Sequence, residues 1–180
     1  MLSLQIGTKK ITTERPSFVM GICNATSDSF YKKSRGGIKK AFELIEQGAD
    51  IIDIGAESTR PGFSEISSEE QIKKIIPIIK AIRKKSDIPI SVDTRSSVVM
   101  NAAINEGADI LNDVWAGLYD GEMLALAAEK NVPIILMHNQ EEEKYDNITR
   151  EVCEFLKERA NAALWVYQCA VISAVIMILS

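Results

Sequence analysis

Five times along the chain, a short apolar run gives way to a polar break and then to apolar residues at helical spacing. SFVMGICN (17–24) leads to GIKKAFELIEQGA (37–49), and DIIDIGAES (50–58) to SSEEQIKKIIPIIKAIRKKS (67–86). IPISVDT (88–94) precedes SSVVMNAAINEGA (96–108), DILNDVWA (109–116) precedes GEMLALAAEKN (121–131), and VPIILMHN (132–139) precedes NITREVCEFLKERANAAL (147–164). The short runs are apolar without alternation, which predicts strands buried on both faces. Runs of that kind, alternating with helices, form a parallel sheet. Local signals agree: a Ser-x-x-Glu start at Ser67 and a basic end at Arg83–Lys85 bracket the second helix. Gly-Ala-Asp at 48–50 and again at 107–109 ends a helix on Gly and enters a strand.

Two windings fit this alternation. A doubly wound nucleotide-binding sheet needs a Gly-rich loop after its first strand, and neither G-x-G-x-x-G nor G-x-x-x-x-G-K-[ST] occurs. Polar residues instead follow almost every strand: Asn24 to Ser29, Glu57 to Arg60, Asp93 to Arg95, Asn112–Asp113 and His138–Asn139. Such residues either cap turns or line a site. Convergence from successive strand ends is the arrangement of a (β/α)8 barrel. The predicted fold class is therefore α/β, a TIM-barrel type truncated to about five βα units, since a whole barrel takes roughly 250 residues and this chain has 180. Open first and last strands would then expose unpaired edges.

Composition narrows the function classes. With a net charge of −4, 26% charged and 46% hydrophobic residues, the chain reads as an ordinary cytoplasmic protein, and a nucleic-acid surface is disfavoured. Lysines pair only locally, as on solvated helix faces. Cys23, Cys153 and Cys169 are scattered without metal-ligand spacing and read as reduced thiols. From Ala160 onward no residue is charged, and LWVYQCAVISAVIMILS (164–180) differs from everything before it. The expected division is a barrel part over 1–164 and an apolar tail over 165–180. Gln168 and two serines weigh against a membrane span, and packing as a substitute sixth strand is an alternative.

MGICNATSDSF, GADIIDIGAESTRPG, ISVDTR, EGADILNDV and ILMHN, in that order, resemble the dihydropteroate synthases, a family of pterin-binding barrels, from about Phe18 to Leu164. The resemblance implies condensation of hydroxymethyl-dihydropterin pyrophosphate with p-aminobenzoate, Mg2+ on the pyrophosphate, sulfonamide sensitivity and a homodimer. It assigns Asn24 to the metal, and Asp93 and Asn112 to the pterin ring, whose donor and acceptor edge a carboxylate and a carboxamide match. Met137 would pack on the ring face, with an ordinary core methionine as the alternative. Thr59 and Arg60 would meet pyrophosphate and the amine substrate, although Arg60 could instead pair with Glu57. Asp28, Ser29 and Phe30 belong to the first loop, which the family folds over the reacting centre, so Asp28 and Arg60 are the expected catalytic residues. His138 is the only histidine, and a structural role is expected for it.

The chain also departs from the family. Lys32 stands where a second loop carboxylate is usual, and Ser27 where a proline is. The later Asp-Pro-Gly-Phe-Gly, lysine and Ser-x-Arg or His-x-Arg segments do not occur, and a reading-frame change with an early stop would leave a tail of this kind. The competing expectations are a non-catalytic fragment or tail-anchored interaction protein and, against the Ser-Thr-Arg-Pro-Gly match, a methyltetrahydrofolate-dependent methyltransferase domain.

Overall fold

The computed structural model describes residues 1–25, 36–57, 66–140, 144–170 and 175–177. Strands β3 (Met20–Asn24), β4 (Ile51–Gly55), β5 (Ile90–Asp93), β6 (Ile110–Asp113), β7 (Ile134–Leu136) and β8 (Val175–Met177) form one parallel sheet in unbroken sequence order. A doubly wound sheet reverses its strand order at a switch point. This one never reverses, and so it is wound as part of a barrel.

The intervening helices are α1 (Gly37–Glu46), α2 (Ser68–Arg83), α3 (Ser97–Asn105), α4 (Met123–Lys130) and α5 (Ile148–Ala170). Their starts follow the local signals: Ser67 Oγ accepts from the Glu70 amide at 3.2 Å, and Ser96 Oγ accepts from Val99 N at 3.4 Å. Helix and sheet meet over Ile52, Ile54, Ile75, Ile79, Ile82 and Val92, all fully buried. Each such side chain contributes about 1.5–3 kcal/mol by leaving water.

Two joints at the amino-terminal end of the sheet repeat one construction. Gly48 and Gly107 each close a helix at positive φ, 89° and 104°, where a side chain would be strained. In the first joint Arg15 donates to the Gly48 carbonyl at 2.9 Å and pairs with Asp50, whose carboxylate also accepts from Val19 N at 2.7 Å. In the second, Arg83 donates to the Gly107 carbonyl at 2.9 Å and pairs with Asp109, whose carboxylate accepts from Ile90 N at 2.9 Å and from Lys9 at 2.7 Å.

Three features lie outside the five predicted units. An antiparallel hairpin, β1 (Leu2–Ile6) with β2 (Lys9–Thr13), lies against the lower end of the sheet. There Ile6 packs with Ile51, Ile110 and Ile135. Helix α5 continues past residue 164 to Ala170, and the buried Tyr167 hydroxyl donates to the Val132 carbonyl, two residues before β7. Beyond it β8 pairs in parallel with β7, the substitute-strand arrangement among those considered for the apolar end. Among the described residues no helix is long and apolar enough to cross a membrane.

Candidate functional site

The parallel register carries Asn24 onto Gly55, Gly55 onto Asp93 and Asp93 onto Asn112. Paired residues of neighbouring strands point to the same face. Three polar side chains from β3, β5 and β6 therefore share one rung at the carboxyl end of the sheet. Glycine on β4 opens the middle of that rung. A Cβ at Gly55 would stand 3.5 Å from Asp93 Oδ2 and 3.7 Å from Asn24 Oδ1, so the missing side chain leaves a cradle between the two. Met137 follows β7 half-buried, its amide donating to the Asp113 carbonyl at 3.4 Å, which places it beside the end of β6.

One rung below, the register joins Ile22, Asp53, Ser91 and Ile110. Asp53 is buried, and Asn112 Nδ2 donates to its two oxygens at 3.3 and 3.5 Å. Burial raises the Asp53 pKa, against the pull of the Ser91 and Asn112 side chains. Asp93 is raised well above the usual carboxylate range, first by burial and then by the charges of Asp53, Asp113 and Glu57. Carboxylates perturbed in this way cluster at functional sites.

Two supports hold the strand-end loops. Arg95 grips Glu57 through Nε and Nη2, both at 3.1 Å, and its guanidinium lies 4.0 Å over the Tyr119 ring. Glu57, the alternative partner considered for Arg60, is thus engaged by Arg95. On β6 the fully buried Asp113 accepts from Trp115 N at 2.9 Å and Gly117 N at 2.6 Å, with Ala116 between them at φ 52°. Arg159 of α5 donates to the Ala116 carbonyl at 2.9 Å and closes the turn from outside.

The pterin binding enzyme model matches residues 20–167. The chain belongs to this family. A dihydropteroate synthase of Streptococcus pyogenes serotype M1 is 53% identical over 163 residues, covering 86% of this chain and 60% of that protein. The solved Xanthomonas albilineans dihydropteroate synthase with 4-aminobenzoic acid is similar at a TM-score of 0.77 and 39% identity, covering 89% of this chain and 60% of that one. The structure of that enzyme in complex with 7,8-dihydropteroate gives a TM-score of 0.75 at 35% identity, covering 92% and 60%. The chain thus spans 60% of the length of these relatives.

In this member of the family, the structure brings Asn24, Asp93 and Asn112 onto one rung and sets Met137 at its margin. Asp28, Ser29, Phe30, Thr59 and Arg60 lie outside the described residues. His138 sits edge-on to Phe155, with ring centroids 4.8 Å apart, and beside Tyr145 at 5.8 Å, an aromatic setting that suits a structural role. Sequence reasoning passed over Asp53, although a lone carboxylate inside the apolar run DIIDIG was its signal. No group of three or more His, Cys, Asp or Glu gathers into a cation site among the described residues. Asn24 offers a neutral oxygen beside the Gly55 cradle. That donor suits Mg2+, which keeps most of its shell as water and substrate phosphate and takes few protein ligands.

Proposed function

We propose that this chain carries the pterin-recognising part of a dihydropteroate synthase, acting on 6-hydroxymethyl-7,8-dihydropterin pyrophosphate and p-aminobenzoate. The observation that carries the reading is the rung of Asn24, Asp93 and Asn112 around the Gly55 cradle. The 4-aminobenzoic acid and 7,8-dihydropteroate bound to the Xanthomonas albilineans relative support it.

In this reading Asp93 and Asn112 hold the polar edge of the ring and Met137 lies against its face. The cradle admits the part of the ligand that runs from ring to pyrophosphate. Asn24 would hold magnesium, which supplies charge neutralisation to the departing pyrophosphate. The arylamine nitrogen forms a bond to the pterin methylene carbon as the carbon–oxygen bond to pyrophosphate breaks; the pair of electrons leaves with the phosphate oxygen and the amine gives up one proton. Arg60 and Thr59 steady the anionic groups, with Arg60 able to make a bidentate contact. Asp28, Ser29 and Phe30 belong to the loop over the reacting carbon, where exclusion of water protects an electrophilic centre from hydrolysis. A cytoplasmic setting and a homodimer belong to the same proposal.

Isothermal titration of the full chain with the pterin pyrophosphate and Mg2+ tests it, with dihydropteroate formation followed on the same sample. Binding that disappears in Asp93→Asn and weakens in Asn112→Ala supports the reading. Absence of binding in a sample whose circular dichroism shows the folded α/β chain refutes it.

A further inference from the structure

We infer that Asp53 is a positioning residue that fixes which way round the Asn112 carboxamide sits, and so makes the site select a ring with an amino group, rather than an oxo group, at its recognised edge. The inference rests on the pterin reading above and concerns a residue one rung below the ligand.

A carboxamide has nearly the same shape either way round, with a donor at one end and an acceptor at the other. Packing alone therefore does not orient it. Asp53 does, because both of its oxygens face the amide nitrogen and accept from it. Asn112 Nδ2 lies 3.3 and 3.5 Å from the two Asp53 oxygens. With Nδ2 turned toward Asp53 and at least one of its two N–H groups donated there, the end of the amide turned away from Asp53 is its carbonyl oxygen. Asp93, its register partner on β5, is a second acceptor on the same rung. Two acceptors side by side call for two donors on the ligand, and a 2-amino-4-oxo pteridine offers an exocyclic amino group and ring N–H. A 2,4-dioxo pteridine turns a carbonyl toward the same acceptor.

Asp53 is held for this task. It is 6% exposed and sits mid-strand between apolar residues of β4, where a side chain has little room to swing. A charged group in that position is costly to bury, and among the described residues no cation pairs with it: its neighbours are the Asn112 carboxamide and the Ser91 side chain. An uncharged residue there would serve the core at least as well, which points to the ligand side of Asn112 as the reason for the acid.

The test compares pterin with lumazine, the same ring system with amino or oxo at position 2, by fluorescence titration against the full chain. The wild-type protein should prefer pterin about tenfold or more, the cost of one mismatched hydrogen bond in a buried site. Asp53→Asn, which can both donate and accept, should bring that ratio close to one. The exchange Asp53→Asn with Asn112→Asp should restore the preference, because the amide now donates upward to a carboxylate that again faces the ring as an acceptor. Should Asp53→Asn not fold, Asp53→Ser carries the same comparison. An unchanged ratio in a folded Asp53 variant overturns the inference, as does an equal loss for both rings, which a merely structural residue would give. A wild-type chain that binds neither ring overturns the pterin reading itself, and that outcome is distinct from both.

Discussion

Gly55→Ala separates the scaffold from the site, because the two should respond in opposite directions. The added Cβ would meet Asp93 Cβ and Oδ2 at 3.5 Å and Asn24 Oδ1 at 3.7 Å, which are ordinary van der Waals distances. Gly55 lies within β4 and is not one of the glycines at positive φ, so alanine fits its backbone. The folded state therefore tolerates the methyl group while the unfolded chain loses freedom, a gain of about 0.4–1 kcal/mol. For a chain of this size that raises Tm by roughly 1–4 °C. The same methyl fills the cradle between Asn24 and Asp93, the residues proposed to meet pyrophosphate and pterin. Forcing a group into an occupied space costs about 1–3 kcal/mol, or roughly five- to 150-fold in Kd for the pterin pyrophosphate. Thermal melts followed by circular dichroism read the first effect and calorimetric titration the second. A Tm that falls by several degrees would refute the open-cradle geometry. An unchanged Kd beside a raised Tm would show that the ligand does not pass between Asn24 and Asp93.

Three further outcomes follow from the same geometry. The folded pKa of Asp93 lies above its unfolded value of about 3.9, so its contribution to stability is fully present below that pH and is lost as pH rises through the folded pKa. Asp93→Asn should accordingly be more stable than wild type at pH 7 and nearly equal to it at pH 4 in urea titrations; a stability loss at pH 7 would contradict this. Arg95→Ala leaves Glu57, 7% exposed, without its bidentate partner and should cost about 3 kcal/mol in urea unfolding; a loss under about 1 kcal/mol would show that the pair is screened like a surface bridge. Asp109→Ala removes the acceptor shared by Arg83, Lys9 and Ile90 N and should cost about 2–4 kcal/mol, yet leave the Kd of the folded protein for pterin unchanged, since the joint lies at the opposite end of the sheet. A shift in that Kd would tie the two ends together.

The alternation of strands and helices was legible because each strand is apolar throughout and each helix keeps an apolar stripe, patterns that local chemistry alone produces. Asn24, Asp93 and Asn112 were legible for the same reason: each interrupts an apolar run at its carboxyl end. Asp53 interrupts one in the middle, where no turn or cap draws the eye, and its meaning depends on Asn112, 59 residues away. The pairing of Glu57 with Arg95 is a matter of geometry between strand ends, which spacing along the chain does not encode. The amino-terminal hairpin escaped because it buries little: of β1 and β2 only Ile6 and Thr13 are fully covered, so its alternation carries a weak hydrophobic signal. The end of α5 was set too early because the charged residues stop before the helix does; Tyr167, buried and bonded to Val132, extends it.

The twin glycine, aspartate and arginine joints have a consequence for how the chain comes into being. The first is built from Arg15, Val19, Gly48 and Asp50, and the second from Arg83, Ile90, Gly107 and Asp109, with Lys9 added from far earlier. Neither uses any residue beyond its own aspartate. As the chain leaves the ribosome, each fastening has all its partners available once its own aspartate has emerged, so the order of synthesis can serve as the order of assembly.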